Sequence, residues 1–218
     1  MSGYVALVRG INVGGRNAVP MPALRAMFEA LGHERVTTYI QSGNVCFTTA
    51  ENRATASASG DAAVQAPHPG DAPDQAIASA PGDAAVQAVA PGLVELAAEI
   101  ERGILHTFGL GVHVVLRTKT ELARLADLNP FLDIEADHAK VHVFFLAATP
   151  TPEGIAKLDP DRFPPDEFAV VGREIFVRYP DGAGRSRLTL DYFERRLGTH
   201  GTARNWNTVN ELLARLDT

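Results

Sequence analysis

The longest apolar runs in this chain, such as Val141 to Ala147, are the length of one strand. A bilayer-spanning helix needs about 20 apolar residues, so none of these runs is a transmembrane candidate. Each run is followed by polar turns or by a segment with apolar residues at three-to-four spacing. Strand-length and helix-length segments therefore alternate, which predicts a mixed α+β fold. Tyr4 to Arg9 reads as a strand. Pro20 opens a helix carrying Leu24, Met27, Phe28 and Leu31, and Gly32 stops it. Val36 to Ile40 and Val45 to Thr48 read as a hairpin around Gln41-Ser42-Gly43-Asn44. Leu93 to Phe108 repeats a helical face through Leu96, Ile100, Ile104 and Phe108, and Val112 to Leu116 is a strand.

That order is β-α-β-β-α-β. A connecting segment over 118–139 follows, opened by a capping box of Thr118 and Glu121 and closed by Asn129-Pro130-Phe131. The order then restarts with a strand over Lys140 to Leu146, a short helix over Pro152 to Leu158, and a hairpin across Gly172-Arg173. Helices over Leu188 to Leu197 and Thr208 to Leu216 end the chain. The expectation is two tandem ferredoxin-like subdomains with antiparallel sheets, over 1–117 and 140–218, the second lacking its last strand.

Residues 50–92 break this pattern. They are rich in Ala, Pro, Gly, Asp and Ser, lack aromatic residues, and repeat Gly-Asp-Ala-Ala-Val-Gln-Ala at Gly60 and Gly82. So few large apolar groups cannot offset the entropy of ordering, so a disordered insertion is expected there. Formal net charge is −6, of which residues 51–92 carry −4. An acidic chain is a poor match for a broad nucleic-acid footprint. The lone cysteine, Cys46, lies in an apolar strand, where a buried thiol is the expected reading. No basic leader precedes the first strand, and no intrachain disulfide can form, so a cytoplasmic location is expected.

Four polar segments stand out. In Arg9-Gly10-Ile11-Asn12-Val13-Gly14-Gly15-Arg16-Asn17, Gly14 and Gly15 permit a tight turn whose amides, with Asn12 and a charged fork from Arg9 or Arg16, suit an anion. The same residues also suit a loop that needs positive φ. In the second segment, Gln41, Ser42 and Asn44 are turn residues or amide donors. In the third, Arg185, Ser186 and Arg187 lie beside a glycine-rich loop at the start of a helix, where cations are unfavourable unless something negative is near. In the fourth, Arg204, Asn205 and Trp206 precede the last helix, with Asn207 as its expected cap and Trp206 as a docking residue. His138 and His142 lie too far apart along a strand to share a metal, and no metal or cofactor site is expected. Asp191 and Glu194, beside Arg195 and Arg196, read as a solvated helix face.

The segments Tyr4–Gly15, Tyr39–Val45, Asn129–Phe131, Tyr179–Thr189 and Thr202–Val209 together resemble the bacterial DUF1697 family of unknown function. The resemblance implies an α+β fold of two ferredoxin-like subdomains and implies no activity. The residues themselves favour a binder of a small anionic ligand at the Arg/Asn/Gly-rich loops. The alternatives are single-stranded nucleic-acid binding through Tyr4, Tyr39, Phe47, Phe144 and Phe145 on a sheet, and a non-catalytic interaction module.

Overall fold

A computed structural model describes residues 2–49 and 89–217. The expected insertion therefore lies outside the described residues, apart from its last four. Of these, Pro91 and Gly92 already belong to a helix.

The first half contains β1 (Ser2–Val8), α1 (Met21–Ala30), β2 (Glu34–Tyr39), β3 (Asn44–Thr49), α2 (Pro91–Phe108) and β4 (Val114–Thr118). Two short helices, α3 (Lys119–Ala123) and α4 (Leu125–Leu128), connect it to the second half. There, β5 (Val141–Leu146), α5 (Pro152–Ile155), β6 (Glu167–Val171), β7 (Glu174–Arg178), α6 (Leu190–Leu197) and β8 (Gly201–Asn205) precede α7 (Trp206–Leu216). The two four-stranded sheets are antiparallel, ordered β2-β3-β1-β4 and β6-β7-β5-β8. The second half thus has its last strand. The expectation of an incomplete copy fails at Gly201-Thr202-Ala203-Arg204-Asn205, which carries no apolar alternation yet pairs along β5.

Local chemistry explains the boundaries. Pro91 occupies the first turn of α2, and Gly109 ends that helix with φ of 69°. The capping box at Thr118 is complete: its hydroxyl accepts from the Glu121 N–H, and the Glu121 carboxylate accepts from the Thr118 N–H. The last helix is capped by Asn205, whose Oδ1 accepts from the Thr208 N–H at 2.9 Å, rather than by Asn207.

Three apolar layers build the fold, and the middle one joins the halves. On the outer face of the first sheet, Tyr4, Ala6, Val8 and Phe47 pack against Leu24 and Phe28 of α1 and Leu96, Ile100 and Ile104 of α2. On the outer face of the second, Phe144, Leu146, Ile175 and Val177 pack against Tyr192, Phe193 and Leu197 around α6. The two inner faces share one core. Val5, Leu7, Cys46 and Val115 meet Val143, Phe145 and Phe176, with Leu122, Trp206, Val209 and Leu212 closing the sides. Central strands covered on both faces are mostly apolar, which is why β1 is apolar from Tyr4 to Val8 and β5 is apolar apart from His142.

Candidate functional site

Two buried arginines join the halves in matching ways. Arg117 is the fourth residue of β4, and Arg204 the fourth of β8. Arg204 donates from Nη2 to the carbonyls of Val8 (3.2 Å) and Ser42 (3.0 Å), and from Nε to Asn44 Oδ1. Arg117 donates from Nη2 to the carbonyls of Leu146 (2.8 Å) and Arg173 (3.1 Å), and from Nε to Glu174 Oε1 (2.7 Å). Val8 and Leu146 end the first strand of each half, and Asn44 and Glu174 begin the third. Each half therefore inserts a guanidinium into the hairpin of the other. One difference separates the two contacts: Arg117 meets a carboxylate, whereas Arg204 meets only neutral oxygens. Burial pushes the Arg204 guanidinium down to about 10. Burial also lowers Arg117, with Glu174 opposing that shift.

Several residues of the expected anion surface have partners within the protein. Arg9 forms a two-pronged pair with Glu194 at 2.6 and 2.9 Å, so Glu194 is not the solvated surface acid expected from the sequence. Asn12, at φ of 56°, donates to the carbonyls of Val19 and Gln41 and accepts from the Val19 N–H. Gly14 and Gly15 sit at φ of 59° and 73° at an open tip, which matches the turn reading. Asn44 is fully buried and donates to the Tyr39 carbonyl and Ser42 Oγ. The Arg9, Gln41–Asn44 and Arg204 segments do converge, but they converge on one another. Asn205 is a helix cap, and Trp206 is a core residue, 3% exposed.

The third segment is separate. Ser186 Oγ donates to Asp166 and accepts from the Leu188 N–H. Arg185 and Arg187 are exposed and have no carboxylate partner among the described residues. The Arg187 guanidinium lies 5.9 Å from the Phe163 ring centroid, and that of Arg162 lies 5.5 Å from it.

A cavity of about 270 Å³ opens where α2, β4 and the second half meet. Apolar side chains, including Leu93, Ala97, Val115, Leu116 and Ala147, form most of its wall. The remainder is ionisable: Glu101, His113, Arg117, Arg173 and His200. Arg173 gives Nη2 to Glu121, while its Nε and Nη1 make no hydrogen bond among the described residues. Glu101 lies on α2, and its Oε1 accepts from the Val114 N–H at 2.8 Å. His113 immediately precedes β4, and His200 immediately precedes β8, so they hold corresponding positions in the two halves. Their rings stack with centroids 4.1 Å apart and planes 24° from parallel. Burial, and then the charge of His113, holds His200 below the usual histidine value. Sequence reasoning missed this group because its members are remote along the chain. The available signal was positional: a histidine in the same place before the fourth strand of each half.

The nucleic-acid reading needs aromatic residues on an open sheet. Tyr4, Phe47, Phe144 and Phe145 are instead buried in the three cores, and Tyr39 lies against Arg215.

The DUF1697 family model, described as a protein of unknown function, matches residues 1–72 and 77–176. The chain belongs to the DUF1697 family. No curated protein matches it. A solved structure with a similar fold is that of a conserved bacterial protein, SP0830, from Streptococcus pneumoniae. It is 20% identical, with a TM-score of 0.57, and the match covers 99% of this chain and 98% of that one. At that identity the likeness concerns fold alone. No helix among the described residues of this DUF1697 protein is long and apolar enough to cross a membrane.

Proposed function

We propose that this DUF1697 protein binds a small molecule with an apolar body and a negatively charged end in the cavity between its halves. The observation that carries the reading is the composition of that cavity. An apolar wall supplies burial, and a few ionisable groups converge at one side to orient a ligand. The uncommitted Nε and Nη1 of Arg173 suit a carboxylate or sulfonate oxygen, and the volume suits a compact ligand. The test is fluorescence titration with an anilinonaphthalene sulfonate dye, which has an apolar body and an anionic head. Saturable binding at one site is expected, lost in Ala97→Phe while the melting transition is kept. Equal dye binding by the filled variant overturns the proposal.

A second anion reading rests on Arg162 and Arg187, whose guanidiniums lie against Phe163, with Arg185 two residues before Arg187; none of the three has a carboxylate partner among the described residues. Phosphate-dependent thermal stabilisation that persists in Ala97→Phe and disappears in Arg185→Ala/Arg187→Ala would favour that surface over the cavity.

We also read the halves as copies of one ferredoxin-like unit. The identical strand order, the matching arginine contacts and the corresponding histidines support that reading.

A further inference from the structure

We propose that Glu101, His113 and His200 form a site for one divalent transition-metal ion of the zinc class, with one coordination position open toward the cavity. The site goes beyond ligand binding in the cavity, and only its open position rests on that reading.

One donor atom from each of these residues lies within 4.8 Å of the other two. Two imidazoles and one carboxylate are the donor set of open, three-ligand zinc centres, whereas magnesium and calcium prefer oxygen donors alone. The two imidazoles and one oxygen of Glu101 are also uncommitted among the described residues. Neither imidazole has a hydrogen bond among the described residues, and Glu101 Oε1 stands 3.7 Å from His113 Nδ1, too far for one. The two imidazoles face each other with centroids 4.1 Å apart.

The surroundings hold these groups in place. The Arg9 N–H donates to the His113 carbonyl, and the Ala147 N–H donates to the His200 carbonyl, both at 2.9 Å. These bonds fix the two histidine backbones to the ends of β1 and β5. The Val114 N–H holds Glu101 Oε1 and leaves Oε2 available, a supporting contact of the kind that orients carboxylate ligands.

Binding requires a small closure. Zinc bonds of about 2.1 Å in a tetrahedron place donors about 3.4 Å apart, so the cluster must contract. The imidazole lone pairs lie in the ring planes, so two stacked rings cannot both point at one ion. One ring must turn out of the stack. The His113 side chain is 55% exposed, so little packing opposes its rotation. Arg9 faces the same site, but Glu194 holds it in a bidentate pair, which offsets its repulsion of a cation.

The test uses tag-free full-length protein, stripped with a chelator and titrated with Zn²⁺ and Co²⁺ by calorimetry and visible absorption. One equivalent of Co²⁺ is expected, with the intense ligand-field bands of a four-coordinate ion. His200→Ala and Glu101→Gln should each weaken affinity at least tenfold, while His106→Ala leaves it unchanged. Glu101→Gln keeps an acceptor for the Val114 N–H and so supplies the test if His200→Ala misfolds. Wild-type protein that takes no metal, or binding undiminished in both site variants, overturns the proposal. Metal binding without dye binding would leave the site standing and remove the cavity reading; dye binding without metal would do the reverse.

Discussion

Replacing Arg204 by Met removes the guanidinium and keeps most of the aliphatic volume. Three acceptors from the first half then lose their donor: the carbonyls of Val8 and Ser42, and Asn44 Oδ1. Each buried acceptor left without a partner costs about 1–3 kcal/mol. The bonds to Thr202 Oγ1 and the Ala203 carbonyl are also lost. Removing a charge that burial disfavours offsets a few kcal/mol of this. The balance is a loss of about 3 kcal/mol, a large share of the roughly 5–15 kcal/mol that stabilises a typical domain. Urea unfolding followed by Trp206 fluorescence should show a midpoint about 1–2 M lower with an unchanged slope. Arg204→Lys should recover little, because one ammonium cannot serve acceptors arranged for a planar fork. A midpoint for Arg204→Met within about 0.3 M of wild type would refute the reasoning, since it would mean that these bonds carry no net stability.

Three further outcomes follow from other buried groups. Burial pushes the Cys46 thiol up to about 11, so alkylation at neutral pH should be slow in native protein and fast in urea; rapid native labelling would contradict the shared core. His142 and His200 are both held below the ordinary histidine value, each mainly by burial, so the unfolded chain takes up their protons first. Stability should fall as pH drops through about 6.5, by at most about 1.4 kcal/mol per pH unit for each group, and His142→Leu should flatten the slope. A profile that is flat or rises toward acid would be inconsistent with those shifts. A Cβ on Gly201 would meet the Phe145 carbonyl oxygen at 2.6 Å, so Gly201→Ala should lower stability by about 2 kcal/mol or more on thermal melting, and a neutral effect would mean that β8 is not seated against β5 as described.

The core strands and the long helices were legible because their apolar periods are unambiguous. Strand β8 was not. Gly201 is small because β5 passes too close for a side chain, and Arg204 points into protein rather than solvent. Both choices are set by the other strands and neither resembles strand propensity. The same limit governed the site. Arginines in glycine-bearing loops read as ligand contacts, yet Glu194, which Arg9 meets, and Asn44, which Arg204 meets, lie 185 and 160 residues away in sequence, beyond any local pattern. Arg117 lies just past the strand expected over Val112 to Leu116, drew no expectation, and is 1% exposed.

The crossed guanidiniums make the two halves mutually dependent. Without its counterpart, either half would have an empty hairpin socket, a stranded cation and one bare greasy sheet. Fragments made separately should therefore aggregate, and fragments made together should reassemble, so the smallest folding unit of this chain is the pair.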